Sequence, residues 1–307
     1  MSGRLYLAPV GLEEALDVVG EHGRAGVVAG GTDAMVNHRS GRRLLPDAVV
    51  SLHLLVELRT IDLVAGRTTR FGALTTHADL ASSADVIEQF TALVDASAIV
   101  GSPSTRAAGT LGGNLVNASP AMDTGSPLLV FGAKAELALR AGIRVVAMAD
   151  LWTGPGQSVL APDELLTAVT IPPSMPRSGS AYVRLEYRRA MEIAVVGAAC
   201  AITLDDDGTI TAVAVALTAV GPTCLLVNDA GRVLVGLRPA EAAVAAGEIA
   251  AAVAQPITDN RATATYRRHM VVVMTTRAVL VAAARAAGRA VATPATRQWR
   301  ASEEASR

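Results

Sequence analysis

The stretches Ala29-Gly30-Gly31-Thr32-Asp33 and Thr110-Leu111-Gly112-Gly113-Asn114 each place a glycine pair beside small polar residues. A glycine pair lets the main chain adopt positive φ and leaves no β-carbon in the way of a ligand. Successive amide groups in such a turn can point at one anion. We therefore predict that the two stretches, about eighty residues apart, grip one pyrophosphate from two sides.

The two stretches differ in how strongly they indicate a binding site. A lone Gly-Gly-Thr-Asp is weak, because glycine turns with an Asx-type residue are common. The second stretch is stronger, since it continues to Asp123 and holds five hydrogen-bonding side chains: Thr110, Asn114, Asn117, Ser119 and Asp123. Neither stretch fits the G-x-G-x-x-G fingerprint or the P-loop, so neither a Rossmann nor a Walker site is indicated.

The composition narrows the class of protein. With 307 residues the chain can form two or three packed units and a deep ligand site. Lys and Arg total 27 against 28 Asp and Glu, and the net charge of -1 argues against a nucleic-acid partner. Charged residues make up 18% and hydrophobic ones 51%. This is explained either by burial of surface against partner subunits or by a simple bias towards alanine.

Cysteine usage and the apolar runs bear on location. Cys200 and Cys224 are the two cysteines, too few for an iron–sulfur cluster held by four thiolates or for a secreted disulfide framework. No signal-peptide pattern opens the chain. The longest apolar stretch, Ile210 to Val227, contains Gly221-Pro222 and alternates as strands do. We expect a cytoplasmic protein without a transmembrane segment.

The sequence offers no catalytic constellation. The five histidines show neither i,i+4 pairing nor clustering with cysteine, so we expect no metal site. The G-x-S-x-G nucleophile motif is also missing. His77, beside Thr75 and Thr76, could bond a ligand but is more typical of a loop histidine. We expect no catalytic residue in this chain.

Periodicity predicts a mixed α and β first half. Apolar residues from Leu12 to Val19 recur at helical spacing, and Thr75-Thr76 offers a cap for a short helix. A hairpin is predicted to turn at Ala141-Gly142. The remaining predicted elements are strands over 25–29, 48–52 and 68–74, one helix over 86–97, and a short buried helix over 127–131.

A linker separates this half from the rest of the chain. Residues 172–180 read Pro-Pro-Ser-Met-Pro-Arg-Ser-Gly-Ser, which is linker composition, and we place a domain boundary there. The pattern beyond it predicts an α+β unit. Its elements are a strand over 181–187, a strand pair around the turn 205–208, helices over 239–254 and 261–290, and a solvated or disordered tail.

Together these stretches resemble the FAD-binding medium subunit of molybdenum hydroxylases, of the carbon monoxide dehydrogenase and xanthine dehydrogenase type. The likeness covers nearly the whole chain and continues through residues 161–166, 182–197 and 256–263, with Tyr266-Arg267-Arg268. Several weak motifs in the same order and spacing are far more specific than any one of them.

The resemblance implies an α+β fold. A PCMH-type FAD-binding domain would occupy residues 1–175, with subdomains of about 1–55 and 56–175. A small α+β C-terminal domain, a three-stranded sheet with helices, would follow over 176–290. Residues 291–307 would form a flexible tail.

The resemblance also implies the site. Residues 29–33 and 110–114 would bind the FAD pyrophosphate, so Gly113→Val is expected to block FAD binding. Asp123 would accept hydrogen bonds from sugar or ribityl hydroxyls, and Val100 and Leu165 would flank the flavin ring. Arg184 stands where the family often has lysine near the ring, and either cation would stabilise an anionic reduced flavin.

The function implied is that of an electron-transfer subunit. A large subunit bearing molybdopterin would oxidise the substrate, and a small subunit with two [2Fe–2S] clusters would pass electrons to FAD here and on to an external acceptor. The assembly would be a dimer of heterotrimers. One alternative, a free-standing FAD oxidase or reductase, would need catalytic groups of its own. The other, a non-catalytic nucleotide-binding assembly module, would not need the intact glycines and Asp123.

Overall fold

The computed structural model describes residues 5–22, 26–188 and 190–297, and its fold is α+β. The N-terminal part consists of β1 (Leu5–Leu7), α1 (Leu12–His22), β2 (Gly26–Val28), α2 (Ala34–Arg39) and β3 (Ala48–Ser51). The three strands are parallel, with β3 in the centre. The apolar face of α1 packs on Val50 of β3. The first glycine stretch is therefore the turn after a parallel strand, where such sheets commonly bind ligands.

The middle part is an antiparallel sheet with short helices. Its elements are β4 (Ile61–Asp62), β5 (Thr69–Gly72), α3 (His77–Ser82), α4 (Ala84–Gln89), α5 (Thr91–Ser97), α6 (Pro103–Ala108), α7 (Leu111–Asn117), α8 (Gly125–Val130), β6 (Lys134–Leu139), β7 (Gly142–Ala147), β8 (Trp152–Gly154), β9 (Gln157–Ser158) and β10 (Leu165–Ile171). Five strands form one sheet in the order β4-β5-β10-β6-β7, while β8 pairs with β9. The predicted hairpin is confirmed, since Leu139 pairs with Gly142.

The single helix predicted over 86–97 is wrong. The chain leaves helical geometry at Phe90, with φ -128° and ψ 48°, which separates α4 from α5. The Phe90 ring is buried and packs edge-on against Phe71 and Phe131, with centroid distances of 5.9 and 5.4 Å. Aromatic packing in the core thus overrides a periodicity that, on its own, favours one continuous helix.

The C-terminal part is a second antiparallel sheet with helices. Its elements are β11 (Ser178–Leu185), β12 (Val196–Leu204), β13 (Ile210–Thr218), β14 (Leu225–Leu226), α9 (Ala230–Leu234), α10 (Pro239–Val253) and α11 (Ala264–Ala286). The strands follow one another in order across the sheet. The predicted three strands are β11, β12 and β13, and the two-residue β14 adds a fourth on β13.

Both faces of the C-terminal sheet are buried. Alternate residues of a strand point to opposite faces. Tyr182 and Ala199 accordingly join the core of the middle part, whereas Val183 and Cys200 belong to the cluster that contains residues of α10 and α11. Of the linker predicted over 172–180, residues 172–177 connect β10 to β11, whereas residues 178–180 pair with β12 as the start of β11, so the linker is shorter than predicted. The middle and C-terminal parts therefore share an apolar core, and the domain boundary at the linker stays a prediction.

Helix α11 is long and apolar enough to cross a membrane by length and composition, the one such helix among the residues described. Half of its most apolar stretch is buried inside the protein, and α11 packs against β11 and β12. Burial against a sheet is typical of a core helix.

The ordered chain extends into the tail predicted over 291–307, which corrects that prediction in part. Ala295 is buried, and its amide donates to the Asp95 carboxylate at 2.8 Å. The Asp95 carboxylate also accepts a hydrogen bond from the Arg285 guanidinium at 2.7 Å. A buried carboxylate thus fixes the segment that follows α11. Residues 298–307 lie outside the part that the structure describes.

Candidate functional site

The first glycine stretch forms a turn with unpaired backbone donors. Gly31 has φ +68°, a conformation that glycine adopts without strain. Within the described ranges, the amides of residues 30 to 33 donate no hydrogen bond to another protein group. Four consecutive free donors between β2 and α2 are available to an anion. The stretch that the sequence ranks as the weaker motif thus offers free backbone donors.

The two glycine stretches lie side by side. A β-carbon on Gly30 would overlap the carbonyl oxygen of Ala108, two residues before the second stretch. The Asn117 side-chain amide donates to the Asp33 carboxylate at 3.2 Å and links the two stretches again. The structure therefore brings residues 29–33 and 110–114 together, as a shared pyrophosphate site requires.

The second stretch is the start of helix α7, not the anion-binding turn that the sequence predicts. Thr110 is its N-cap, and its Oγ1 accepts from the Gly113 amide at 3.1 Å. Gly112 faces Ala73, where a β-carbon would lie 2.7 Å from the Ala73 β-carbon. Gly112 thus permits close packing of the start of α7 on Ala73, the residue that follows β5. A β-carbon on Gly113 would lie 2.9 Å from Thr110 Oγ1, so a Gly113→Val change acts first on the cap.

The backbone donors at the start of α7 are already used. The amides of residues 111, 112, 113 and 114 donate to Thr75 O, Ala73 O, Thr110 Oγ1 and Thr110 O, at 2.8 to 3.1 Å. The side chains of this segment remain as ligand groups. The Asn114 side chain is held by Thr124, whose hydroxyl donates to Asn114 Oδ1 at 2.7 Å. The second stretch can thus bind through side chains, while the free amides belong to the first.

A buried charge network surrounds Asp123. Arg184 donates to Asp123 at 2.6 Å and to Glu186 at 2.7 Å, and its side chain has no exposed surface. Arg184 also donates to the Ile99 carbonyl at 3.1 Å, and the Tyr182 hydroxyl donates to Asp123 at 2.8 Å. Two carboxylates therefore already balance the positive charge of the guanidinium. Stabilisation of an anionic reduced flavin by Arg184 stays a prediction.

Burial shapes the protonation of this network. Burial raises the pKa of Asp123, and Arg184 opposes that rise. Burial on its own would lower the pKa of Arg184, but Asp123, Tyr182 and Glu186 together outweigh burial and raise that pKa, so the guanidinium stays charged. Since a carboxylate has about four lone-pair sites, Asp123 can still accept from a ligand hydroxyl. That role stays a prediction.

Val100 and Leu165 lie in different surroundings. Val100 borders the Asp123 network, because the carbonyl of the preceding residue, Ile99, accepts from Arg184. The Val100 carbonyl accepts from Arg106 at 3.1 Å. Leu165 is buried in the core cluster that contains Leu16 of α1. The structure thus places Val100, but not Leu165, beside the network. Contact of either side chain with a flavin stays a prediction.

His77 and Arg106 flank the meeting point of the glycine stretches and are absent from the predicted site. His77 is 2% exposed. Burial, and secondly the charge of Arg106, lower its pKa to about 4. In the sequence, His77 is marked by the run Thr75-Thr76-His77 at the start of α3. That run does not reveal that the side chain is buried. No cluster of three or more His, Cys, Asp or Glu that could hold a metal occurs within the described ranges.

These features define the class of the protein. Free amides follow a parallel strand, and a second glycine segment lies against them. This arrangement indicates a protein that binds a phosphate-bearing cofactor. Comparison with known families agrees. Residues 1–174 match the FAD binding domain in molybdopterin dehydrogenase, and residues 180–282 match the CO dehydrogenase flavoprotein C-terminal domain.

Individual proteins give the same result. The putative xanthine dehydrogenase FAD-binding subunit XdhB of Escherichia coli (strain K12) is 30% identical over 288 residues, covering 91% of this chain and 95% of that protein. The carbon monoxide dehydrogenase medium chain of Afipia carboxidovorans is 37% identical over 241 residues, or 76% and 82% of the two chains. The solved carbon monoxide dehydrogenase of Hydrogenophaga pseudoflava superposes with a TM-score of 0.87 at 29% identity, over 92% and 98%.

The chain therefore belongs to the FAD-binding medium subunits of molybdenum hydroxylases, of the carbon monoxide dehydrogenase and xanthine dehydrogenase type. It is a flavoprotein subunit of a molybdenum-containing dehydrogenase. The family and fold read from the sequence are confirmed.

Proposed function

We propose that this chain receives electrons from [2Fe–2S] clusters of a small partner subunit and passes them to an external acceptor. A large partner subunit would carry molybdopterin and oxidise the substrate. The observation that carries the proposal is the row of free amides at residues 30 to 33 in a chain that matches both family domains. The described residues hold no cluster of metal-ligating groups of their own.

The site fits the pyrophosphate of FAD. Free amides can donate to its oxygens, and the absence of a β-carbon at Gly30 lets this turn lie directly against Ala108, next to the second stretch. Thr32, Thr110 and Asn114 add polar side chains at the same place. When bound, FAD supplies the ability to take electrons singly and release them in pairs. The residues of this chain orient it, and the Asn117–Asp33 bond holds the two stretches together.

The relatives support the proposed assembly. Their names describe a FAD-binding subunit and a medium chain, which are parts of larger complexes. We propose a dimer of heterotrimers with large and small subunits. We also propose a cytoplasmic location, supported by two cysteines that are buried and unpaired. Burial raises the pKa of Cys224 to about 12, so its thiol stays protonated and unreactive.

The test is purification of the tagged chain from its native host, followed by metal and flavin analysis. The proposal predicts co-purifying large and small subunits with molybdenum, iron and FAD. A chain that runs alone with FAD and turns over a small substrate would instead be a free-standing oxidase or reductase. A complex without flavin that cannot be reconstituted with FAD would be an assembly module.

A further inference from the structure

His77 lies directly behind the meeting point of the two glycine stretches. It is the first residue of α3, and its amide donates to the Gly109 carbonyl at 3.0 Å. The preceding residue, Thr76, forms a β-bridge with Thr110. The backbone of His77 is therefore fixed to the segment that enters the second stretch.

The imidazole presents its Cδ2–Nε2 edge to this junction. A β-carbon on Gly109 would lie 3.3 Å from His77 Cδ2 and 3.5 Å from Thr32 Oγ1. Because Cδ2 is bonded to Nε2, this edge of the ring and the Thr32 hydroxyl flank the same point. Thr32 belongs to the row of free amides. The junction thus has an imidazole on one side and, on the other, the side chain of Thr32, a residue in the row of free amides.

The proton of the ring belongs on Nε2. His77 Nδ1 is buried without a hydrogen-bond partner, and no group in the described part of the chain bonds Nε2. With its pKa lowered to about 4, the ring is neutral near pH 7 and carries one proton. Nδ1, unlike Nε2, is among the buried atoms without a partner. Since a buried unpaired N–H is rarer than a buried unpaired acceptor, Nδ1 takes the lone pair. Nε2–H is then a donor without a protein acceptor.

We propose that His77 is a further cofactor-binding residue, whose Nε2–H donates to a phosphate oxygen of the nucleotide at the junction of the two glycine stretches. The inference rests on the proposed FAD site and adds to it a side-chain donor outside both stretches. Buried donors in native proteins almost always have an acceptor, and a phosphate at the free amides of Thr32 and Gly31 would supply one.

The test uses the complex stripped of flavin and three probes: FAD, ADP and riboflavin, which lacks phosphate. In His77→Gln the side-chain amide can reach the position of Nε2, whereas in His77→Asn it reaches only that of Nδ1. His77→Leu has no donor. We expect the Asn and Leu variants to bind FAD and ADP about tenfold or more weakly, as for loss of a hydrogen bond to a charged group. Riboflavin affinity should be unchanged, and His77→Gln should remain within about threefold of wild type.

Two results would overturn the inference. Wild-type affinity for FAD and ADP in His77→Leu would show that there is no contact. Equal weakening of all three probes, riboflavin included, would assign His77 a structural role, and the Gln variant would then behave like the Leu variant. If the wild-type complex bound none of the probes, the proposed FAD function itself would fail, which is a separate outcome.

Discussion

Gly30 and Ala108 are in backbone contact, so close that a β-carbon on Gly30 would overlap the Ala108 carbonyl oxygen. This contact places the turn after β2 against the segment that leads into α7. The free amides of residues 30–33 and Thr110, the N-cap of α7, therefore lie close together. The absence of a side chain at Gly30 is a condition for the site to exist.

Gly30→Val should separate the two stretches. Forcing a branched side chain against the backbone costs about 1–3 kcal/mol of the free energy of unfolding, and FAD affinity should fall with the lost alignment. Thermal unfolding and FAD titration measure the two effects. Gly20→Ala is the matched control, because nothing lies within 4 Å of its β position in α1, and it should stabilise by about 0.5–1 kcal/mol. Wild-type FAD affinity in Gly30→Val would refute the assigned contact.

Arg184→Met should destabilise the protein strongly. It leaves Asp123 and Glu186 buried without their cation, and breaking a buried pair costs about 3–5 kcal/mol. Urea unfolding measures the loss, and adding Asp123→Asn should restore part of it. The control is Arg177→Met, since Arg177 pairs with Asp206 at 3.8 Å on the surface and its loss should cost at most about 1 kcal/mol. Similar costs for the two arginine variants would contradict the structural role of Arg184.

The free energy of unfolding should decrease as the pH is lowered, because His77 takes up a proton more readily in the unfolded chain. Its pKa in the folded protein is about 4, below the ordinary 6.5. Between these values the unfolded chain binds a proton that the folded chain does not, so the free energy of unfolding decreases as pH drops from 6.5 to 4, by up to about 3 kcal/mol. Unfolding measured from pH 7 to 4.5 should show a shallower slope in His77→Gln. His269→Gln, at an exposed helix position, should keep the wild-type slope, and identical slopes in all three proteins would exclude this assignment.

Most secondary-structure elements follow from local pattern, and the exceptions have physical causes. The helix through Leu12 and the hairpin at Ala141-Gly142 need only periodicity and turn chemistry. The break at Phe90 depends on rings supplied by Phe71 and Phe131, which lie 19 and 41 positions away. The anchoring of Ala295 by Asp95 spans 200 positions. Contacts of this range leave no local signal.

The sequence predicted which two segments form the site, but not which of their backbone amides are free to bind a ligand. Glycine pairs with polar neighbours identified both stretches. Which amides are free depends on Ala73 and Thr75, whose carbonyls accept from the start of α7. Likewise, the sequence shows Arg184 but not the two carboxylates that balance it. Asp123 lies 61 positions before Arg184 and Ala73 lies 39 positions before Gly112, so these pairings leave no local signal, whereas Glu186 follows Arg184 by only two positions.

Amide hydrogen exchange with and without FAD tests the central claim most directly, because the claim concerns which backbone donors hold the cofactor. We predict that bound FAD slows exchange in the peptide covering residues 30–33, whose amides are free in the protein alone. Exchange in the peptide covering residues 111–114 should change little, since those amides already have protein acceptors. Protection confined to residues 111–114, with none at 30–33, would contradict the account.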